Sequence, residues 1–316
     1  MITNRTSTTP RFHERGSALV AVFWLIAVLG LIIFASLRYV STDSTIVAST
    51  KNEEKARRFA EMGMAIGTHP GITTTDSNLI FENESGGGYK VLKQTEESRI
   101  AINSILATGK QDSLRRLFTI WGANEDLALA AADSLADWVD KDDSPGFDGA
   151  ESSWYEDRGQ TGLPRNRPFR SFEEILLVRG MTEIASLNPN WRDSFTIWGG
   201  LRLDINYAEP ELIAAIAGLP LERAVTLTNV RAGYDGIPET EDDVLFSDVA
   251  QPAQILGIPA QLAETILTHK GQTERVESTG YAANRQSRLV TISRGGNVLW
   301  SGTESLTSIH ENPATY

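Results

Sequence analysis

No cysteine occurs among the 316 residues of this chain, which removes disulfides, thiolate metal sites and cysteine nucleophiles. Histidine is nearly as scarce: His13, His69, His269 and His310 are all there are, and no two stand at metal-ligand spacing. Neither G-x-S-x-G nor G-x-x-x-x-G-K-[ST] is present, so the chain carries no nucleophile elbow and no phosphate loop. Adjacent acids such as Asp142 and Asp143 could in principle share acid and base roles, but neighbours in sequence point in different directions. The reading is therefore non-enzymatic. Positive charge is also in deficit, with 29 Lys and Arg against 41 Asp and Glu, a net charge of −12 and a pI of about 4.9. Such a balance argues against a phosphate-backbone partner and leaves divalent cations or basic protein surfaces as company.

What the chain does have is one long apolar run. From Ser17 to Leu37 there is neither charge nor proline, enough helix at about 1.5 Å per residue to cross a hydrocarbon core of roughly 30 Å. The sixteen residues before it carry Arg5, Arg11 and Arg15 against Glu14. Basic flanks stay in the cytoplasm, so the expectation is a single-pass membrane protein with a cytoplasmic N-terminus and its acidic bulk on the outer side. The run is too long for the apolar part of a cleaved secretory signal, about 7 to 15 residues.

The junction itself carries more. Arg15-Gly16 followed by Ser17-Ala18-Leu19-Val20 resembles the class III signal of type IV pilins and pseudopilins. That resemblance implies cleavage by a prepilin peptidase between Gly16 and Ser17, methylation of the new N-terminus, and a helix that serves first as anchor and later as filament core. The fifth mature position, glutamate in most members, is Ala21 here, a departure characteristic of the minor pseudopilin K subfamily of the type II secretion system. A carboxylate in an apolar run is tolerated only with a partner. A subunit at the filament tip, with nobody ahead of it, needs none.

Past Arg38 no proline intervenes until Pro70. Ile46, Val47, Phe59, Met62 and Ile66 recur at spacings that place much of the apolar surface on one side. One helix from Ser17 to about Thr68 would measure roughly 78 Å; a break near Ser41 to Ser44 would make it two. Tyr89 to Gln94 and Ser98 to Asn103 read as a hairpin around Thr95-Glu96-Glu97. The second of these strands, Arg99-Ile100-Ala101-Ile102-Asn103, has an echo in Arg202-Leu203-Asp204-Ile205-Asn206. Thr273 to Ala283, Ser287 to Ser293 and Asn297 to Glu304 read as three closing strands.

The most specific motif lies between. A helix capped by Asn124 runs into Ala136-Asp137-Trp138-Val139-Asp140-Lys141-Asp142-Asp143-Ser144-Pro145-Gly146-Phe147-Asp148-Gly149-Ala150-Glu151. This resembles the DW-x-D-x-DD-x-P…GAE…Y signature of the K subfamily, with Trp154 and Tyr155 in the aromatic positions and Asn166-Arg167-Pro168-Phe169 as the following NRP element. Two readings of the acids stand side by side. Asp140, Asp142, Asp143, Asp148 and Glu151 could supply the several oxygens that calcium needs, at intervals that do not match an EF-hand, or the loop caps helices and accepts hydrogen bonds from Arg165, Arg167 or Arg170. A second acidic loop offers Asp235, Glu239, Glu241 and Asp243 as another candidate calcium set, where a solvated turn is the favoured reading. Ser171-Phe172-Glu173-Glu174 reads as a capping box.

The expected fold is α+β: a long N-terminal transmembrane pilin helix packed on a small antiparallel sheet, with a large inserted α-helical domain. The expected divisions are leader 1–16, transmembrane helix 17–37, pilin-like helix and first strands 38–103, inserted helical domain 104–270, and closing strands 271–316. The resemblance implies a tip subunit of the periplasmic pseudopilus that helps initiate its assembly, partnered by the I- and J-type minor pseudopilins and the major pseudopilin. The rival reading comes from Ala217-Gly218-Leu219-Pro220 and Leu256-Gly257-Ile258-Pro259, which look like helix-hairpin-helix turns. They would make the chain a membrane-anchored nucleic-acid binder, were it not for the acids around them.

Overall fold

The computed structural model describes the backbone of residues 17–238, 240 and 242–303, and their side chains except those of 17–18 and 35–49. The chain divides into two compact units, Met1–Glu54 and Lys55–Tyr316.

In chain order the elements are α1 (Ser17–Gly67), β1 (Ile80–Glu82), β2 (Gly88–Thr95), β3 (Ile100–Ala101), α2 (Ile102–Ala107), α3 (Gln111–Ile120), α4 (Glu125–Val139), α5 (Ser152–Glu156), α6 (Phe172–Ile175), α7 (Met181–Leu187), β4 (Phe195–Thr196), β5 (Leu203–Asp204), α8 (Pro210–Ala217), α9 (Leu221–Arg231), α10 (Ala250–Leu256), α11 (Ala260–Ile266), β6 (Leu267–Thr268), β7 (Thr273–Ala282), β8 (Arg285–Arg294) and β9 (Asn297–Thr303). The fold is α+β. α1 is one helix through Ser41 to Ser44 rather than two.

In the first unit, Leu19 to Phe34 lie on α1 with large apolar side chains exposed, Phe23 by 72% and Trp24 by 68%. Among the described residues no helix is long and apolar enough to cross a membrane. The run expected to do so, Ser17 to Leu37, extends beyond the described side chains at both ends, and the expected leader with Gly16 lies outside the described residues.

In the second unit, small residues decide how the end of α1 meets the sheet. Ala56, Ala60, Gly63 and Gly67 recur on one helix face and are all buried. A Cβ added at Gly280 of β7 would stand 2.0 Å from the Ala56 carbonyl oxygen and 2.2 Å from the Ala60 nitrogen. Only a strand glycine allows that approach. Phe59, Met64, Ile66 and Ile72 close the edges of this contact around Leu79, Tyr89, Val91 and Val276. Met62, expected on the buried side, is half exposed.

The sheet is antiparallel in the order β1-β2-β7-β8-β9. Everything from β3 to β6 lies in sequence between its neighbours β2 and β7. The expected hairpin of Tyr89 to Asn103 does not form. β2 pairs with β1 and β7, and after a tight turn at Glu96–Ser98 β3 pairs in parallel with β4. The reason is that the two turn carboxylates are buried and already engaged. Glu96 takes Thr196 Oγ1 and Arg275 Nη1, the latter at 3.0 Å. Glu97 takes the Gly200 and Thr273 amides, each at 3.2 Å. Stranding a buried acid would cost more than a two-strand ladder returns.

The helical segment is built twice. β3 pairs in parallel with β4 through Ile100↔Phe195, and β5 with β6 through Leu203↔Leu267. The echo seen in the sequence is a structural one. Asn103 donates to the Phe169 carbonyl at 3.0 Å and accepts the Phe169 amide at 2.8 Å. Asn206 donates to the Phe246 carbonyl at 3.0 Å and accepts the Phe246 amide at 2.8 Å. In each half an asparagine just past the strand clips a later phenylalanine backbone. The main apolar core gathers Leu114, Phe118, Leu135, Trp138, Tyr155, Met181, Phe195 and Leu212, all nearly or fully buried. The closing strands match expectation within one or two residues.

Candidate metal centre

Asn124 caps α4 by accepting the Leu127 amide at 2.8 Å, and the last turn of that helix delivers Asp137 and Asp140. Trp138 between them turns into the core, where it stacks on Phe169 at 5.7 Å and meets Tyr155 edge-on at 6.1 Å. Burying the indole fixes the rotation of the helix and hence the direction of its two neighbouring acids. The chain then doubles back. Asp137 accepts the Gly146 amide at 3.0 Å, and a Cβ at Gly149 would stand 1.8 Å from Asp137 Oδ2. That glycine is what lets the loop close over the carboxylate and bring Glu151 in.

The outcome is a convergence of Asp137, Asp140 and Glu151, each offering an oxygen within 4.8 Å of the others. Glu151 is 2% exposed. Both its oxygens, and Oδ1 of Asp140, are buried without a hydrogen-bond partner. Burial raises the Glu151 carboxyl to about 7, helped by the charges of Asp137, Asp140, Asp143 and Asp142 in that order. Burial likewise raises Asp137 and Asp140. Buried, unpartnered carboxylates facing one another are unfavourable unless a proton or a cation sits between them. An all-oxygen set of this spread fits a hard cation such as calcium, whose ligands lie about 2.3–2.6 Å from the ion. Thiolate and imidazole are absent, which disfavours zinc.

The other expected ligands are placed differently. Asp148 is taken by Arg179 at 3.1 Å, and the same guanidinium holds the carbonyls of Asp148 and Gly149. Asp142 accepts the Ser144 amide at 2.9 Å and Asp143 the Ser152 amide at 3.3 Å, so each closes a turn. Both stand near enough to raise Glu151. Of the arginines expected to answer the acids, Arg167 pairs with Glu174 at 2.6 Å instead, and Arg179 takes the role. Asp137 was not among the expected ligands. Its signal is the i, i+3 spacing to Asp140, which puts both on one side of the last helical turn. The expected capping box is also altered, since Glu174 accepts the Arg170 amide at 3.0 Å and the Arg167 guanidinium.

At the second acidic loop Asp242 organises a turn, accepting the Tyr234 and Asp235 amides at 2.6 and 3.1 Å. Asp235 accepts the Ile237 amide at 2.7 Å. Asp243 helps raise Arg231, whose burial outweighs it and lowers that group. Glu239 and Glu241 lie outside the described residues. Among the described residues the one convergent acid group is that of Asp137, Asp140 and Glu151.

The helix-hairpin-helix geometry is present: Gly218 and Gly257 adopt φ of 66° between paired helices. Their amides are spent inside. Leu219 N donates to the Ala214 carbonyl and Ile258 N to that of Ala253, both at 3.0 Å, while Pro220 and Pro259 have no N–H. A phosphate would find few donors there.

A small antiparallel sheet carrying a helix at its N-terminal end, with a large helical segment between two of its neighbouring strands, defines a class of α+β protein. Its acidic loop follows an Asp-Trp pair. Residues 98–189 match the family described as type II secretion system (T2SS), protein K. A relative from Pseudomonas aeruginosa, "Type II secretion system protein K", is 30% identical over 172 residues, 51% of this chain and 50% of that protein. This chain therefore aligns with about half the length of that relative. In three dimensions the chain resembles a chain in the crystal structure of the GspK-GspI-GspJ complex from enterotoxigenic Escherichia coli, with a TM-score of 0.54 and 16% identity. The match covers 86% of this chain and 99% of the other. The resemblance read from the motifs thus recurs in these comparisons: residues 98–189, which contain the acidic Asp-Trp loop, are similar to the protein K family of the type II secretion system.

Proposed function

We propose that this chain is a non-enzymatic minor pseudopilin of the type II secretion system that caps the tip of the periplasmic pseudopilus and helps start its assembly. Support comes above all from the acidic Asp-Trp loop, which falls inside the matched residues 98–189 and folds into a convergent acid cluster. The broad helical segment between β2 and β7 supports the same reading. It is too bulky to repeat along a filament of helices packed side by side. Ser17 to Leu37 is the single membrane pass, with the leader ending at Gly16 removed by prepilin peptidase and Ser17 methylated. The exposed apolar side chains of Leu19 to Phe34 suit either lipid or partner helices.

In the similar crystal structure GspK is in complex with GspI and GspJ. By analogy the I- and J-type minor pseudopilins are this chain's partners, with the major pseudopilin below them. Calcium is a structural ion here: Asp137, Asp140 and Glu151 hold it, and it ties the end of α4 to the start of α5. No step of catalysis is involved.

The test is co-expression with I- and J-type pseudopilins and prepilin peptidase, followed by purification and mass spectrometry of the N-terminus. A complex with both partners and a methylated Ser17 start is expected. An intact leader, or a chain that purifies alone, overturns the reading.

A further inference from the structure

We infer that Asn166 is a further ligand of the cation site, a neutral oxygen that lets the cluster prefer a calcium ion to a proton. The inference rests on the calcium reading above and deepens it.

Three segments of the chain bring buried side-chain oxygens without a hydrogen-bond partner into this region: Oδ1 of Asp140, both carboxylate oxygens of Glu151, and Oδ1 of Asn166. The first two residues belong to the convergent acids. Asn166 comes from further along the chain, and its place follows from a turn that it shares with them. The Asp142 amide bonds to the Asp140 carboxylate, while Asn166 Nδ2 lies 3.5 Å from the Asp142 carbonyl oxygen. Asp143, next in the same turn, accepts the Ser152 amide beside Glu151 at 3.3 Å. Asn166 thus stands on the turn that joins Asp140 to Glu151. Two acceptors do not face one another. With Nδ2 on the carbonyl, Oδ1 is turned away from it, and its burial turns it away from solvent as well.

The side chain has little to do for its own loop. An asparagine kept for a turn spends its oxygen on a nearby amide, as Asp142 and Asp143 spend theirs on Ser144 and Ser152. Asn166 does not. Its neighbours hold the segment instead, Arg167 through Glu174 and Phe169 through Asn103. The backbone at Asn166 is left-handed, with φ of 49°, which asparagine tolerates better than most residues.

The chemistry separates a proton from a cation. One proton shared between Asp140 and Glu151 satisfies two of the four oxygens and leaves the others buried and unpaired, which is unfavourable. A calcium ion takes about six to eight oxygens, so it can engage all four at once, with Asp137 and water completing the shell. An amide oxygen also adds no repulsion to a site that already gathers three carboxylates.

Calcium titration calorimetry on the full chain in detergent micelles at pH 8 decides, with melting in EGTA measured alongside. Asn166→Gly removes the oxygen and keeps a residue at ease with a positive φ. Its melting temperature in EGTA should match the parent's, while its calcium Kd should rise at least about tenfold. Asn166→Asp returns an oxygen at the same reach and should bind within about threefold of the parent. A purely structural asparagine would give the opposite pattern, with both variants melting lower in EGTA and calcium affinity unchanged. Parent-like binding by Asn166→Gly, or binding by Asn166→Asp as weak as that of Asn166→Gly, overturns the inference and leaves the three acids as the site. No binding by the parent up to about 1 mM calcium overturns the calcium reading and this inference with it.

Discussion

Glu151 makes the stability of the chain depend on pH in an unusual direction. Its carboxyl is raised from 4.5 to about 7, first by burial and then by four neighbouring aspartates. At about 1.36 kcal/mol per pKa unit this corresponds to about 3 kcal/mol. Because the folded-state value is the higher one, the stability it represents is present in full below pH 4.5 and is lost as pH rises through 7. Metal-free protein should therefore melt several degrees lower at pH 8 than at pH 5, since about 1 kcal/mol moves a domain of this size by 2–4 °C. On the proposed calcium role, the ion would bind the ionised form, so adding it at pH 8 should restore the loss, while at pH 5 it would compete with the proton and do little. Glu151→Gln removes the charge: the metal-free variant should be more stable than the parent at pH 8, and calcium should no longer shift it. The assay is thermal unfolding of detergent-solubilised protein by near-ultraviolet circular dichroism, in EGTA and in calcium, from pH 5 to 8. A melting temperature in EGTA that stays flat across that range, or one that calcium leaves unchanged at pH 8, would refute the reasoning.

Other perturbations read different parts of the fold. Gly149→Ala pushes a methyl into Asp137 and should cost about 2–4 kcal/mol and blunt the calcium response, as seen in the same melts. Asn103→Ala and Asn206→Ala each strand a phenylalanine amide, those of Phe169 and Phe246, and should each cost about 1–3 kcal/mol in urea unfolding. Glu277 is held down at about 2: burial opposes its ionisation, but the charges of Arg275, Arg99 and Arg288 together outweigh burial. Its stabilisation is present above pH 4.5 and is lost as pH falls towards 2. Glu277→Gln should cost about 3–5 kcal/mol at pH 7 and flatten the acid limb of the stability profile.

What the sequence discloses divides along a physical line. Elements that announce themselves by local chemistry are legible: the Asn124 cap, the three closing strands with their glycine turns, and the Asp-Trp helix end. So is the repeated strand ending in asparagine, because the same clip is built twice from the same residues. The hairpin expected around Glu96 and Glu97 fails because what those carboxylates meet is far away in the chain, at Thr196, Thr273 and Arg275, and alternation of residue types says nothing of such partners. The packing of α1 is read only in part, since Phe59 and Ile66 do border the contact with the sheet while Met62 does not. Apolar bulk at Phe59, Met62 and Ile66 draws attention, yet the buried stripe is Ala56, Ala60, Gly63 and Gly67, chosen for what it leaves out.

The acid loop shows both sides at once. Its composition forces the question of a cation, but not which acids converge. Asp148 is neutralised by Arg179, an arginine beyond the loop, whereas Asp137 joins the cluster because burial of Trp138 fixes the turn of helix that carries it. Which acids converge is thus decided by the core beneath them. Replacing Trp138 with leucine should therefore lower calcium affinity by turning Asp137 and Asp140 away from Glu151, although the indole itself touches no ion. If calorimetry showed calcium binding undiminished in a Trp138→Leu chain that still folds, the cluster would have to owe its geometry to the loop alone.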